Sequence, residues 1–465
     1  MAQVPCKGIR FAAAPVRLLA RAAPGSGMRR RSAAWEKSRV TFIGTILGRI
    51  LRSAAGPVLA VLLLPLAACA QTQAEPAAAT AAETEIDFDS FLAGLKKDAL
   101  GRGISAATVD QAFAGLRPLP EVIERDRSQR EFTLTFTRYM RSAITEGRVA
   151  QARRLLEEHR PLLEKVAAEY GVQPRFLVSF WGLESNFGQH TGGYSVIAAL
   201  ATLAHEGRRH DFFRAQLLDA LQILDEGHIS VGEMTGSWAG AMGQLQFIPS
   251  TFVNFAVDYD GDGHRDIWHS LPDIFASAAN YLSQEGWRGD RTWGREVRLP
   301  AGFDYGLASL SVQKPLQDWA ALGLRSQDGG PLPAVDGLEA SLVLPAGHGG
   351  PAFLVYENFR TILVWNRSIL YALSVGHLAD RIDGAPPLSP ASLPDEDPLS
   401  LKAIEEMQAM LNELGYDVGT PDGLVGPLTR EALRSYQKSV GLPADGYPTV
   451  QIIQRLRAAV GGVSQ

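Results

Sequence analysis

Glu184 closes an apolar run, Phe176-Leu177-Val178-Ser179-Phe180-Trp181-Gly182-Leu183-Glu184, which then turns through Ser185-Asn186-Phe187-Gly188. On a helix, Leu177, Phe180, Trp181 and Glu184 follow one another by steps of three, one and three, so they share a face. The carboxyl group therefore ends an apolar stripe where the helix meets a glycine-containing turn. Partial desolvation there disfavours the charge and favours the protonated form that a general acid requires. The competing reading is a glutamate turned to solvent or paired with an arginine near the helix end. Periodicity alone does not choose between them.

A second stretch with chemistry in its spacing is Asp258-Tyr259-Asp260-Gly261-Asp262-Gly263-His264-Arg265-Asp266. Side-chain oxygens fall at every second position and two glycines allow a sharp turn, which is the start of an EF-hand-like calcium loop. Asp258, Asp260, Asp262 and the carbonyl of His264 are the expected ligands. The twelfth position holds His269 where a bidentate Glu is standard, and Asp273 is the expected replacement. An Asp/Gly turn satisfied by its own backbone is the alternative. The glycine-rich Ala239–Gly243 run lacks the Lys-Ser/Thr that a phosphate loop needs.

The elements that must hold these residues are mostly helical. From Phe88 to about Glu285 helical patterns dominate: Arg160–Gly171 reads as one helix with a Gly stop, Pro174–Glu184 as the next with Pro in its first turn, and Phe212–Leu224 as a third. Short β-type runs at Glu296–Leu299, Ser341–Leu344 and Phe353–Tyr356 predict a small sheet. Helical pattern returns from Phe359 to Ile382. Residues 383–398 are rich in proline and read as a linker to a separate carboxy-terminal unit, residues 399–458. That unit carries a faint repeat: Met407-Gln408, Leu414-Gly415 and Asp422-Gly423 are echoed by Tyr436-Gln437, Val440-Gly441 and Asp445-Gly446.

At 46% hydrophobic and 20% charged residues, the 465-residue chain can bury sizeable cores and is not disordered throughout. Its formal charge of −5 is uneven: residues 1–69 hold eleven Lys/Arg against one acid, and the remainder carries a net −15. So acidic a body argues against nucleic acid as a partner. Both cysteines, Cys6 and Cys69, lie in the basic leader or at its end, so no disulfide framework or thiolate metal site is expected beyond it. Arg49 and Arg52 precede an uncharged, Leu/Val/Ala-rich stretch from Ser53 to Ala68, the order of an export signal. It ends in Leu66-Ala67-Ala68-Cys69, which resembles the lipobox of bacterial lipoprotein signals. On that resemblance residues 1–69 are a leader and Cys69 is the lipidated first mature residue, with residues 70–87 as a tether. Ala70 after the cysteine favours the outer membrane in the enterobacterial sorting pattern, which places the working part in the periplasm. An ordinary signal or membrane anchor is the competing reading. A start at Met28, before Arg29-Arg30-Arg31, is the alternative beginning, and a twin-arginine signal a further one.

Trp181-Gly182-Leu183-Glu184-Ser185-Asn186-Phe187-Gly188 resembles the catalytic motif of the lytic murein transglycosylases of the membrane-bound B type, glycoside hydrolase family 103. The likeness continues through Gly236–Ser250, Ala278–Leu282, Asn358-Phe359, Trp365-Asn366-Arg367-Ser368 and Tyr371-Ala372, and covers residues 88–382 in the family's order. It implies a mainly α, lysozyme-like catalytic domain with a small β-sheet subdomain. It implies Glu184 as the single catalytic acid/base, with Ser237, Gln246, Tyr281 and Asn358 on positions that line the saccharide cleft. The reaction implied is cleavage of the MurNAc–GlcNAc bond of peptidoglycan to 1,6-anhydromuramic acid, with no cofactor required for the chemistry. The motifs around Glu184 offer no second acid, where ordinary glycosidases use two. The family's calcium loop is comparably lengthened, though its closing Asp falls one residue earlier than Asp273.

Residues from Met407-Gln408 to Leu456 resemble the common three-helix peptidoglycan-binding module, which implies glycan strands of the wall as partner. A generic helical cap with Asp-Gly turns is the other reading. Two functions of different class compete with a lytic transglycosylase: a hydrolytic muramidase, and a wall-binding scaffold lipoprotein that no longer cuts.

Overall fold

A chain of short helices, most of them amphipathic, wraps one helix that is buried nearly all round. In the computed structural model, residues 87–127, 134–206 and 209–463 are described. The leader, Cys6, Cys69 and nearly all of the tether lie outside the described residues.

The central helix is Pro174–Ser185. Pro174 starts it, where a missing N–H costs nothing, and Asn186 ends it in the left-handed region at φ 51°. The sequence predicted one apolar stripe; instead nine of the twelve residues are buried, including Ser179, whose hydroxyl donates to the Val375 carbonyl at 2.8 Å. A helix that apolar belongs in the middle of a core. Around it pack Glu146–Glu158, Arg160–Tyr170, Leu271–Gln284 and Ile369–Ile382. Val196–His205 and His210–Asp225 pack on each other, and the first of these is buried over nine of its ten residues.

The expected sheet is present and larger than its three predicted runs. Its order is Lys314–Pro315, Glu339–Val343, Ala352–Val355, Gly294–Arg298, Arg325–Ser326, all antiparallel. The two outer strands are only two residues long, too short to register as periodic alternation. A second apolar cluster, with Trp319 and Leu342 at its centre, belongs to this sheet. The helical pattern read from Phe359 to Ile382 is two helices, Glu357–Trp365 and Ile369–Ile382, because Asn366-Arg367-Ser368 leaves helical geometry and Ser368 caps the second through the Tyr371 N–H.

The proline-rich linker is not a free tether. The Pro394 carbonyl accepts from Thr137 Oγ1 at 2.6 Å and the Ser392 hydroxyl donates to Glu296 at 2.5 Å. It leads into three helices, Leu401–Glu413, Pro427–Ser439 and Val450–Val463, with a core of Ile404, Met407, Leu411, Leu433, Tyr436 and Leu456. The sequence repeat has a physical content. Gln408 Oε1 accepts from Asp422 N and Gly423 N while its Nε2 donates to Asp422 Oδ1. Gln437 does the same one repeat later, accepting from Gly446 N and donating to Asp445 Oδ1. Each buried amide locks one Asp-Gly turn. Asp445 also leaves the module: its Oδ2 accepts from His348 N at 2.8 Å and His348 Nδ1 at 2.6 Å.

Candidate active site

The turn after Glu184 is held in an unusual conformation. Asn186 (φ 51°), Phe187 (φ 59°) and Gly188 (φ 80°) are successive left-handed residues, a state that for the first two costs of order 1 kcal/mol each and needs support from its surroundings. The support is a ring of hydrogen bonds. Phe187 N donates to Trp181 O, and His190 N to Ser185 O at 2.8 Å. Gln244 closes the ring, accepting from Trp181 Nε1 and donating to the Trp268 carbonyl, both at 2.7 Å. A side chain at position 188 would put its Cβ 2.4 Å from Gln244 Oε1, so only glycine fits there.

Glu184 itself is buried, at 9% exposure. Its Oε1 accepts two hydrogen bonds, from Trp365 Nε1 at 2.8 Å and from Tyr371 Oη at 2.5 Å. The break between the two helices at residues 366–368 explains the convergence. It leaves Trp365 at the end of one helix and Tyr371 in the first turn of the next, both facing one oxygen. The Trp365 indole is clasped by Phe180 (4.5 Å between centroids), Phe247 (5.3 Å) and Tyr281 (5.0 Å, stacked at 28°). Burial, and then the neighbouring Glu184 charge, push the Tyr371 phenol well above its usual range, so it stays a proton donor. An indole N–H is a donor only.

Trp365 and Tyr281 line a long cleft together with Trp238, Gln246, Phe247 and Asn366. Its volume of about 2170 Å³ exceeds that of a small-molecule pocket and suits a polymer. Among the described residues that line it ahead of residue 390 there is no Asp or Glu. The cleft continues onto the carboxy-terminal module, where Leu428, Arg430, Tyr447 and Val450 line it.

The other residues singled out from the sequence divide. Gln246 lines the cleft, itself at φ 52°, with its Nε2 donating to Thr191 O and Gly243 O; its amide oxygen faces no donor among the described residues. Tyr281 lines the cleft, stacked between Trp365 and Phe255. Ser237 is not among the lining residues. Its hydroxyl oxygen accepts from Ala239 N and Ala241 N and braces the loop whose Trp238 and Ala239 form the wall. Asn358 corrects the expectation that it lines the cleft. It is 0% exposed, its Oδ1 accepts from Arg288 N at 2.7 Å, and its Nδ2 donates to Arg288 O and Arg291 O. Every polar atom of that amide faces backbone, so it clamps a turn. The sequence marks Trp365 and Tyr371 only as members of the matching motifs Trp365–Ser368 and Tyr371-Ala372, which give neither a place beside Glu184.

In the acidic loop, ligand oxygens of Asp258, Asp260 and Asp262 lie within 4.8 Å of one another, all exposed. Asp258 also accepts from Gly261 N and Gly263 N, the closure of a tight turn. Asp273 does not join them: buried at 0% exposure, it accepts from Tyr259 N through Oδ1 and Asp266 N through Oδ2, holding the loop from inside. The exposed donor set is oxygen only, which fits a hard cation such as Ca²⁺ and not zinc.

Comparison with known proteins adds to this geometry. Residues 87–380 match the family described as the transglycosylase SLT domain, and residues 400–456 match the putative peptidoglycan binding domain. Membrane-bound lytic murein transglycosylase B of Escherichia coli (strain K12) is 32% identical over 252 residues, which is 53% of this chain and 66% of that protein. The chain thus spans about two thirds of the curated relative. The crystal structure of SltB3 from Pseudomonas aeruginosa in complex with NAG-anhNAM-pentapeptide is similar with a TM-score of 0.78 at 50% identity, over 80% of this chain and 99% of that one. The Escherichia coli lytic transglycosylase Slt35 in complex with calcium gives a TM-score of 0.55 at 27% identity, over 63% of this chain and 92% of the other. No helix among the described residues is long and apolar enough to cross a membrane.

Proposed function

The chain belongs to the transglycosylase SLT domain family, the peptidoglycan lytic transglycosylases, and from that membership we propose that it cleaves the MurNAc–GlcNAc β-1,4 bond without consuming water, leaving 1,6-anhydroMurNAc ends. The observation that carries this reading is the solitary carboxylate. Glu184 lies directly behind Trp365, which lines the cleft, and ahead of residue 390 no Asp or Glu is among the described lining residues that could act as a second acid, so one group serves as both acid and base. Glu184 gives its carboxyl proton to the glycosidic oxygen as the C1–O bond breaks. The acetamido group of the same muramyl sugar steadies the positive centre at C1. The resulting carboxylate, held by the Trp365 and Tyr371 donors, takes the proton of the C6 hydroxyl as that oxygen bonds to C1. A nucleophile within the same sugar needs no separate activation by a second residue, because proximity supplies the advantage.

The test is mass spectrometry of muropeptides released from purified sacculi. Products lighter than the hydrolytic ones by one water support the reading. Reducing-end products make the enzyme a muramidase and require a second carboxylate, and binding without any release leaves a wall-binding scaffold.

Two further parts of the reading rest on less. Asp258, Asp260, Asp262 and the His264 carbonyl would hold a structural Ca²⁺, a reading supported by the oxygen-only donor set and by the calcium of the Slt35 relative. Asp273 would serve the site by bracing the loop rather than as its sixth ligand. Export with lipidation at Cys69, and so anchoring at the outer membrane facing the periplasm, is supported by the leader sequence and by a relative described as membrane-bound. The carboxy-terminal module would bind the same wall polymer.

A further inference from the structure

Arg430 and Arg434 lie one turn apart on the helix Pro427–Ser439 and both line the cleft on the module's side. Like charges at this spacing repel and destabilise a helix, and an anion between them would relieve that repulsion. Arg434 has partial compensation: Nη2 donates to the Ala308 carbonyl at 2.9 Å, and Nη1 lies 3.6 Å from Glu431. Arg430 has none. Partly buried, its guanidinium makes no hydrogen bond or ion pair among the described residues. Burial, and after it the Arg434 charge, lower its proton affinity; the fields of Tyr447 and Asp445 oppose them. Neither of those two is free to pair with it. The Tyr447 hydroxyl donates to Glu396 at 2.9 Å. Asp445 has filled its acceptor positions, with Gln437 Nε2 and Tyr447 N on Oδ1 and two His348 nitrogens on Oδ2. An unpaired, partly buried guanidinium facing a cleft is costly unless a carboxylate reaches it; Asp395, Asp397, Glu405 and Asp422 line the same cleft, and none of them pairs with Arg430. Leu428, 63% exposed, and Val450, 40% exposed, line the same cleft and offer apolar surface to small side chains beside that carboxylate.

Building on the wall-binding reading of the module, we propose that Arg430, with Arg434 beside it, receives a free carboxylate of the murein stem peptide. The planar fork of a guanidinium matches a carboxylate through two parallel hydrogen bonds. The module would thereby distinguish glycan strands that carry peptides from strands stripped of them, although a stripped strand still exposes a lactyl carboxylate on each muramyl residue.

The experiment uses the full chain carrying Glu184→Gln, so that ligand is not consumed. A GlcNAc–MurNAc-pentapeptide and an amidase-stripped glycan strand are titrated into it calorimetrically, with and without Arg430→Gln. The expected result is a roughly tenfold loss of affinity for the peptide-bearing ligand. Affinity for the stripped strand should stay unchanged, Tm should be equal or higher because a repulsion is removed, and Arg430→Lys should recover part of the loss. Unchanged affinity for both ligands overturns the proposal. An equal loss for both reassigns the guanidinium to the lactyl carboxylate or the sugar. A fall in Tm that tracks the affinity loss and is not rescued by Lys makes Arg430 a structural residue. If the parent binds neither ligand, the wall-binding reading itself fails, a result that the Arg430 comparison would not produce.

Discussion

The Tyr371 hydroxyl donates to Oε1 of Glu184 at 2.5 Å, on the same oxygen that Trp365 reaches from the cleft side. Two donors on one oxygen fix the carboxyl in place and stabilise its ionised form. Tyr371 is buried at 3% exposure and lines no part of the cleft, so it acts through Glu184.

Tyr371→Phe keeps the ring and removes the donor. Loss of a hydrogen bond to a charged group is worth about 1.5–3 kcal/mol, so turnover of sacculi should fall roughly 10- to 100-fold with KM little changed. Glu184→Gln should lose cleavage altogether while still binding glycan strands. Near-normal turnover in the glutamine variant would remove Glu184 from the chemistry.

Asn358→Ala separates a clamp from a sugar ligand. Backbone groups of Arg288 and Arg291 lose their partners, which should cost about 2–3 kcal/mol and lower the Tm by several degrees. The folded fraction should cut at the parent rate per molecule. A raised KM with an unaltered Tm would return Asn358 to the cleft.

Removal of calcium probes the acidic loop. With Asp258, Asp260 and Asp262 grouped on an exposed turn, chelation should lower the melting temperature and readdition of Ca²⁺ should restore it, and Asp260→Asn should blunt both effects. Melting curves that superimpose with and without chelator would leave the turn with no ion.

His377, on the helix Ile369–Ile382, is pushed down to about 4 from 6.5 by burial and then by the Arg381 charge. The folded state therefore resists a proton that the unfolded chain accepts. Its contribution to stability is full above about pH 6.5 and is lost as the pH falls towards 4, at up to about 1.4 kcal/mol per unit. Tm measured against pH should slope downward through that window. His377→Gln should flatten the slope; an identical slope in the variant would assign it to other groups.

Local pattern in the sequence was enough to place Glu184, since proline start, apolar spacing and glycine turn are all properties of one short segment. Its hydrogen-bond partners come from residues more than 180 positions later, and no periodicity connects them. Asn358 shows the converse: the likeness of a motif reports that an amide is present but not which way it points, and here it points at the 288–291 backbone. Prolines mark residues 383–398 as a linker but not what it touches, and Thr137 and Glu296, both distant in sequence, bind it down. The Asp-Gly repeat was legible because each half folds on itself, through Gln408 and Gln437.

That repeat makes the module a plug with two nearly equivalent prongs. Asp422 and Asp445 occupy matching turns, each clipped by its own glutamine, but only Asp445 enters a socket, at His348, while Asp422 stays exposed. A keyed connector of this kind fits in one orientation because a single keyway is cut on the receiving side. His348 is that keyway for the prongs, and with Arg434 on the Ala308 carbonyl and Tyr447 on Glu396 it holds one side of the helix trio towards the cleft.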